Sequence, residues 1–342
     1  MTKRERVIRA ICHEETDRLP HYIELGDREI EKMRRYTGNP NYGAYLDNDL
    51  EMIGFDGFMK PVAGRPGFYC DDFGACWDRT GPDKDIGVME SCVINCPEDF
   101  DKYVFPKVPE EEVRKKMKAF VENGRDTFKV VGISFAMYER GWALCGVENM
   151  LMALIEEPEF CERLFEKVTE YDLELLKIIT EYDIDAICMG DDWGQQRGMI
   201  MGPELWRKFI KPGMKKLYEF IKKQGKFVIQ HSCGDVEEIF EDLIEIGLDV
   251  YQTVQPEVYS LEEIKKKYGD RLSFWGGIST QKLLPFATPE VVKETIIKTA
   301  KVMGNGGGYI LAPTHVVTRD VPEENIEIMA EIFKRQKEFS IV

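Results

Sequence analysis

IQHSCGD at residues 229–235 and YILAPTH at residues 309–315 decide how this 342-residue chain is read. In each, a short apolar run (KFVIQH at 226–231, GYILA at 308–312) stops at a breaker, Gly234 or Pro313, as a buried parallel strand stops at its C-terminal end. Residues i and i+2 share one face of a strand, so His231 and Cys233 are set to face one point, with His315 at the end of the second strand. The chain has four histidines, and a set that places two of them with a thiolate is competent for zinc. Three protein ligands with a fourth position left to water or substrate describe a catalytic rather than a structural zinc. Spacing alone also fits a part-buried thiol beside two hydrogen-bonded histidines.

Outward from these two strands, the same rhythm of apolar run and amphipathic helix continues from about residue 126. Strands are predicted at 19–25 (LPHYIEL), 127–135, 184–190, 226–231, 247–252, 271–276 and 308–312. Helices are predicted at 2–12, 147–182, 203–224, 236–246, 260–268, 288–303 and 322–338. Strands alternating with helices make a parallel sheet wrapped by helices, and the expected fold is α/β, one (β/α)8 TIM-barrel domain over residues 1–342. Seven strands are visible, and an eighth is sought in the irregular stretch 27–118. That stretch carries an apparent hairpin, GFYCDDFGACWDRTG, and is read as an N-terminal elaboration capping the barrel. Polar residues collect just after the predicted strands: Glu24, Glu139 with Arg140, Asp191 with Asp192, His231 with Cys233, Gln252 with Gln255, and His315. Active sites of such barrels lie where strand ends and following loops converge, which favours the metal reading.

Composition narrows the function classes. A hydrophobic share of 43% with 32% charged residues is ordinary for a globular protein, and no apolar run approaches the ~20 residues a spanning helix needs. The stretch MTKRERVIRAICHEETDRLP is charged where an export signal needs apolar residues, so a cytoplasmic location is expected. Nine cysteines without a framework suit a reducing compartment better than a disulfide scaffold, and the CxxxC pair Cys92 and Cys96 is a weak metal or redox signal. A net charge of −16 repels a phosphate backbone, so nucleic acid is not an expected partner.

The stretches YERGW (138–142), GDDWGQQRGMIMGPELWRKFIKP (190–212), HSCGDV (231–236), FWGGISTQ (274–281) and GGGYILAPTHVVTRDVPEENI (306–326) resemble the uroporphyrinogen decarboxylase superfamily. Within it they are similar to the zinc-dependent methyltransferases that work with corrinoid proteins. That resemblance implies zinc held by His231, Cys233 and His315. It also implies a cobalamin carried by a partner corrinoid protein, since no DxHxxG stretch for binding the cofactor occurs here. The thiol-methylating branch usually has Cys at the last position, where this chain has His315. The decarboxylases carry an arginine-rich motif after the first strand; the matching segment here, PHYIELGD, is acidic, so decarboxylation of a polycarboxylate is not expected.

Other residues are weighed singly. Strand period 2 allows at most one of Asp191 and Asp192 to face the mouth, the other capping the helix that follows. Glu139 and Glu24 are candidates in the pocket, Glu24 as a fourth metal ligand or proton carrier. Tyr138, Trp142, Trp193 and Gln252 are candidate substrate contacts, although the tryptophans read first as core. One thiolate and two imidazoles leave zinc a net charge of +1, a better Lewis acid than two thiolates would. The expectation is transfer of a methyl group from a small methylated substrate, a methoxyaryl ether, to the partner's cob(I)alamin. Alternatives are methyl transfer from a corrinoid to a thiol or pterin, a uroporphyrinogen decarboxylase-like activity, and a non-enzymatic zinc-binding scaffold.

Overall fold

The computed structural model describes residues 1–81 and 87–341. Its centre is a curled sheet of seven parallel strands: β1 (Leu50–Phe55), β2 (Phe128–Ile133), β3 (Ala186–Gly190), β4 (Phe227–His231), β5 (Val250–Val254), β6 (Ser273–Ile278) and β7 (Tyr309–Pro313), each hydrogen-bonded to the next in that order. Strands β2, β3, β6 and β7 are buried along their whole length, which is why their sequences are continuous apolar runs without alternation. Alternate residues nonetheless serve two cores. Phe128, Val130, Ala186, Cys188, Ile229, Val250, Trp275, Ile310 and Ala312 pack together inside the curl, while Val131, Ile133, Ile187, Met189, Tyr251, Phe274 and Leu311 pack outward against the helices.

Helix Lys3–Ile11, whose Thr2 and Glu5 form a reciprocal capping box, sends Val7 and Ile11 into the inner core. The predicted first strand at 19–25 is not a regular strand. It lies between the two edges of the sheet: Tyr22 N donates to Leu311 O at 3.1 Å, Leu311 N to Pro20 O at 2.9 Å, and Asp49 N to His21 O at 3.0 Å. Isolated parallel bridges join His21 to Leu311 and Leu25 to Val317. The strand sought within 27–118 is β1.

The same stretch, of which 82–86 lie outside the described residues, holds a four-stranded antiparallel sheet of Lys60–Pro61, Phe68–Cys70, Cys76–Asp78 and Val88–Met89. Its Trp77 packs on Ala143 and against Phe135 and Trp142, and its buried Asp71 is ion-paired with buried Arg140. Cys70 and Cys76, opposite each other in that hairpin, form a disulfide, one pairing that the expectation of a reducing compartment without a disulfide scaffold did not include; Cys92 and Cys96 are thiols. The predicted helix 147–182 is two helices, Val147–Glu156 and Pro158–Ile179, parted before Pro158. No helix among the described residues is long and apolar enough to cross a membrane.

Candidate metal centre at the strand ends

Strand β4 stops at His231, beside Gly190 of β3 and Gln252 of β5 in register. Cys233 therefore lies in the following loop rather than on the strand, yet its Sγ is 3.7 Å from His231 Nε2. The loop is held from two sides. Cys233 N donates to Asp192 Oδ1 at 2.8 Å, and Gly234, at φ +76°, packs backbone to backbone on Gly194, where a Cβ at 234 would stand 2.2 Å from Gly194 C. Only glycine meets both demands, a positive φ and a bare Cα. The contact brings the loop after β3, with Asp192, against the loop after β4, with Cys233.

His231 Nδ1 is hydrogen-bonded to Gln252 Oε1, an acceptor. That partner puts the proton on Nδ1 and leaves the Nε2 lone pair facing Cys233 and Asp192, whose Oδ1 is 3.5 Å from it. Among the described residues, the ligand atoms of Asp192, His231 and Cys233 form a cluster within 4.8 Å of one another. Burial, then the charges of Asp192 and Glu139, pushes the Cys233 thiol up to about 12. A thiol so placed needs a cation beside it to ionise, and imidazole, thiolate and carboxylate together are donors zinc accepts.

The two adjacent aspartates, in the loop just past the end of β3, do different work, and the helix that Asp191 caps is not the one that follows it but the earlier helix Tyr138–Cys145. Fully buried Asp191 turns to the backbone, accepting from Tyr138 N at 2.9 Å, Glu139 N at 2.7 Å and the Trp193 indole, and so caps helix Tyr138–Cys145. Burial, then the charges of Asp192 and Asp191, raises Glu139 well above the usual carboxyl range. Three N–H donors suit Asp191 as the ionised member of that pair and Glu139 as the protonated one.

A cavity of about 240 Å³ opens beside the cluster, lined by Tyr22, Glu24, Met52, Ser134, Cys188, Gln252, Trp275, His231 and His315, with Gly132 and Gly190 leaving room in its wall. His315 is exposed on the loop after β7, its ring centre 6.3 Å from that of His231. Two imidazoles on one tetrahedral zinc have ring centres about 5 Å apart. The cavity and the cluster thus share His231. Burial raises the Glu24 carboxyl, with His231 opposing the shift.

Of the expected substrate contacts, Gln252 lines the cavity, whereas Tyr138, Trp142 and Trp193 do not. Trp193 is fully buried against Trp206, and Trp142 packs edge to face with Trp77 and Phe135 under the antiparallel sheet. The aromatic walls are Tyr22 and Trp275 instead, edge to face at 5.5 Å. Both sit in stretches read as strands, but the sequence does not say which strand residues face inward. A larger groove of about 900 Å³, around His13, Lys265 and Gly304, lies away from these groups, at the opposite ends of the strands.

Fold and site together define a parallel α/β protein with a metal-competent cluster at the C-terminal ends of its strands. The uroporphyrinogen decarboxylase (URO-D) family matches residues 80–336, and the chain belongs to that family. It is 26% identical over 278 residues to a uroporphyrinogen decarboxylase of Trichodesmium erythraeum, covering 76% of this chain and 74% of that protein. It is 25% identical over 182 residues to the Thermus thermophilus enzyme of the same name, covering 52% of this chain and 49% of that one. A methyltransferase from Methanosarcina mazei has the same fold, with a TM-score of 0.74 at 17% identity over 98% of this chain and 99% of that one.

Proposed function

We propose that this chain is the substrate-side methyltransferase of a corrinoid-dependent demethylase system, which takes a methyl group from a small methylated substrate, in the leading form a methoxyaryl ether, and delivers it to the cob(I)alamin of a separate corrinoid protein. In this reading residues 20–25 are the eighth stave of a (β/α)8 barrel, residues 27–118 apart from β1 cap its mouth, and the protein works in the cytoplasm. The observation that carries it is the His231 pair: Nδ1 tied to Gln252 and Nε2 turned to Cys233 at 3.7 Å, with the cavity beside it.

His231, Cys233 and His315 are the proposed zinc ligands, and Asp192 is the carboxylate placed to hold the remaining position until substrate arrives. When bound, zinc supplies a Lewis acid for a poor leaving group. In the transfer the methyl C–O bond breaks, its electron pair leaves on the phenoxide oxygen, and the cobalt pair forms the new C–Co bond. The chain's own groups set this up. Gln252 fixes the His231 tautomer and ring, Asp191 fixes the helix turn bearing Glu139, and Tyr22 and Trp275 give a ring two apolar faces. Glu24, raised by burial, is placed to exchange a proton with the departing phenoxide.

A cavity of about 240 Å³ falls below the ~300–1,000 Å³ of pockets that take drug-sized ligands, so a tetrapyrrole is not the substrate proposed. The test is a methoxyarene with chemically reduced cobalamin and the purified, chelator-free protein. About one zinc per chain, free phenol and methylcobalamin are expected. Zinc without phenol points to a methyl-corrinoid-to-thiol or pterin reaction or to a scaffold, and absence of zinc rejects the metal centre altogether.

A further inference from the structure

The wall of the mouth cavity is one-sided in charge. Among the described residues that line it, Glu24 is the carboxylate and there is no lysine or arginine. The Asp192 carboxylate stands next to it in the cluster, accepting from Cys233 N at 2.8 Å. A divalent cation held by the Cys233 thiolate and neutral imidazoles would carry a net charge of +1, which the neighbouring Asp192 carboxylate offsets, so it does not reverse this balance. The rest of the wall is Tyr22, Trp275, Met52, Pro313 and Val316, with the two aromatic rings edge to face. Aromatic faces with a carboxylate at hand are the surroundings that favour a cation and repel an anion.

Size is set from one side by Met52. Its side chain lies over Gly132, where a Cβ would stand 2.6 Å from the thioether methyl, and Met52 is itself 37% exposed. About 240 Å³ is room for a small aromatic molecule and not for a tetrapyrrole.

We infer that the site selects by charge: its methylated substrate is a small neutral or cationic molecule, and ring-carboxylated analogues are disfavoured by Glu24 and by the lack of a lysine or arginine among the described residues of the wall. This rests on the methyl-transfer reading for what the molecule donates, but the selection itself concerns binding.

Three compounds of nearly equal size separate charge from shape: 4-hydroxy-3-methoxybenzylamine (cationic), 4-hydroxy-3-methoxybenzamide (neutral) and 4-hydroxy-3-methoxybenzoate (anionic). Binding of each to the zinc-loaded protein is measured by calorimetry at neutral pH, without corrinoid. The amine and amide are expected to bind, with the benzoate at least about tenfold weaker. Glu24→Gln should shrink the gap between amine and benzoate. Met52→Lys, at a half-open position that tolerates a long side chain, should bring the benzoate up by about tenfold, and it serves if Glu24→Gln does not fold. A benzoate that binds as tightly as the amide, or none of the three binding, overturns the inference. Failure of the methyl-transfer reading shows up differently, as binding with this order of affinities here but no phenol released in the separate assay with a methoxyarene and reduced cobalamin.

Discussion

Asp191 holds Glu139 by its backbone rather than by its side chain: Oδ1 of the buried carboxylate accepts the Glu139 amide at 2.7 Å while Oδ2 accepts that of Tyr138 at 2.9 Å. The next residue, Asp192, receives the Cys233 amide. Two adjacent acids at the end of β3 therefore pin two different loops of the site, the helix turn on one side and the thiol on the other.

Replacing Asp191 by Asn puts an amide NH2 where two or three N–H groups now point at carboxylate oxygen. The variant should lose about 3 kcal/mol of stability, the cost of stranding a buried donor beside a lost charged acceptor. Glu139 and the thiol loop should loosen with it, so zinc should bind less tightly. Chemical denaturation and a zinc competition titration check both; a variant as stable as the parent removes the capping role.

Gly234→Ala tests the seam between the two loops. A Cβ there meets Gly194 backbone at 2.2 Å in addition to the strain of φ +76°. Gly225, at φ +70° with nothing within 4 Å of its would-be Cβ, is the control for strain alone. Gly225→Ala should cost about 1 kcal/mol and leave zinc content intact. Gly234→Ala should cost several times more and lower zinc affinity by at least about tenfold, because Cys233 moves off Asp192. Equal effects of the two substitutions in zinc titration reject the seam.

A pH effect follows from His21, which is not part of the metal cluster. It is fully buried, its Nε2 donates to Leu46 O at 3.0 Å and its Nδ1 accepts from Arg18 at 2.9 Å, an arrangement that needs the neutral ring. Burial lowers it from 6.5 to about 4, with Asp49 opposing and Arg18 adding to the shift. Below pH 6.5 the unfolded chain takes up a proton that the folded one refuses until about pH 4, so the stability this residue contributes is whole above 6.5 and is lost as pH falls through that window. Between pH 7 and pH 5 the loss is about 2 kcal/mol. Urea unfolding at the two pH values, with chelator present throughout, should show His21→Gln losing less stability than the parent by that amount; equal slopes reject the assignment.

Much of this was readable in the sequence, for reasons that mark what was not. Strands β2, β3, β6 and β7 are apolar runs because a parallel sheet covered on both faces hides every residue of them, and β4 and β5 are nearly so. β1 was hidden because LEMIGF carries Glu51, ion-paired to Arg125, and Met52, which faces the cavity. The i,i+2 spacing of His231 and Cys233 pointed to the cluster, whereas nothing in the pair Asp191–Asp192 told which one turns inward until the loop seam at Gly194 and Gly234 was seen. Trp193 and Trp275 are alike in sequence, one in a loop and one in a strand; only the curl of the sheet decides that the second meets Tyr22 in the cavity. The hairpin at Phe68–Asp78 was visible, but the pairing of Cys70 with Cys76 depends on its register.

The direction of the proposed chemistry rests on His315, an imidazole where the thiol-methylating branch carries a thiolate. With His231 and Cys233 it would leave zinc a net charge of +1; a second thiolate would bring the centre to neutrality and make the metal softer and less electrophilic. His315→Cys should therefore keep its zinc, since the exposed loop after β7 has room for the shorter side chain and thiolate is a good zinc ligand. Release of phenol from a methoxyarene should nevertheless slow by about 10²-fold, the effect of roughly 3 kcal/mol of lost polarisation at the barrier. His315→Ala separates ligation from polarity, because it should lower zinc affinity, by an amount comparable with Cys233→Ala if the two are equivalent ligands. Should His315→Cys retain zinc and demethylate as fast as the parent, the Lewis-acid argument fails. Should His315→Ala hold zinc as tightly as the parent while Asp192→Asn does not, the third ligand is Asp192, the carboxylate already within 4.8 Å of His231 and Cys233.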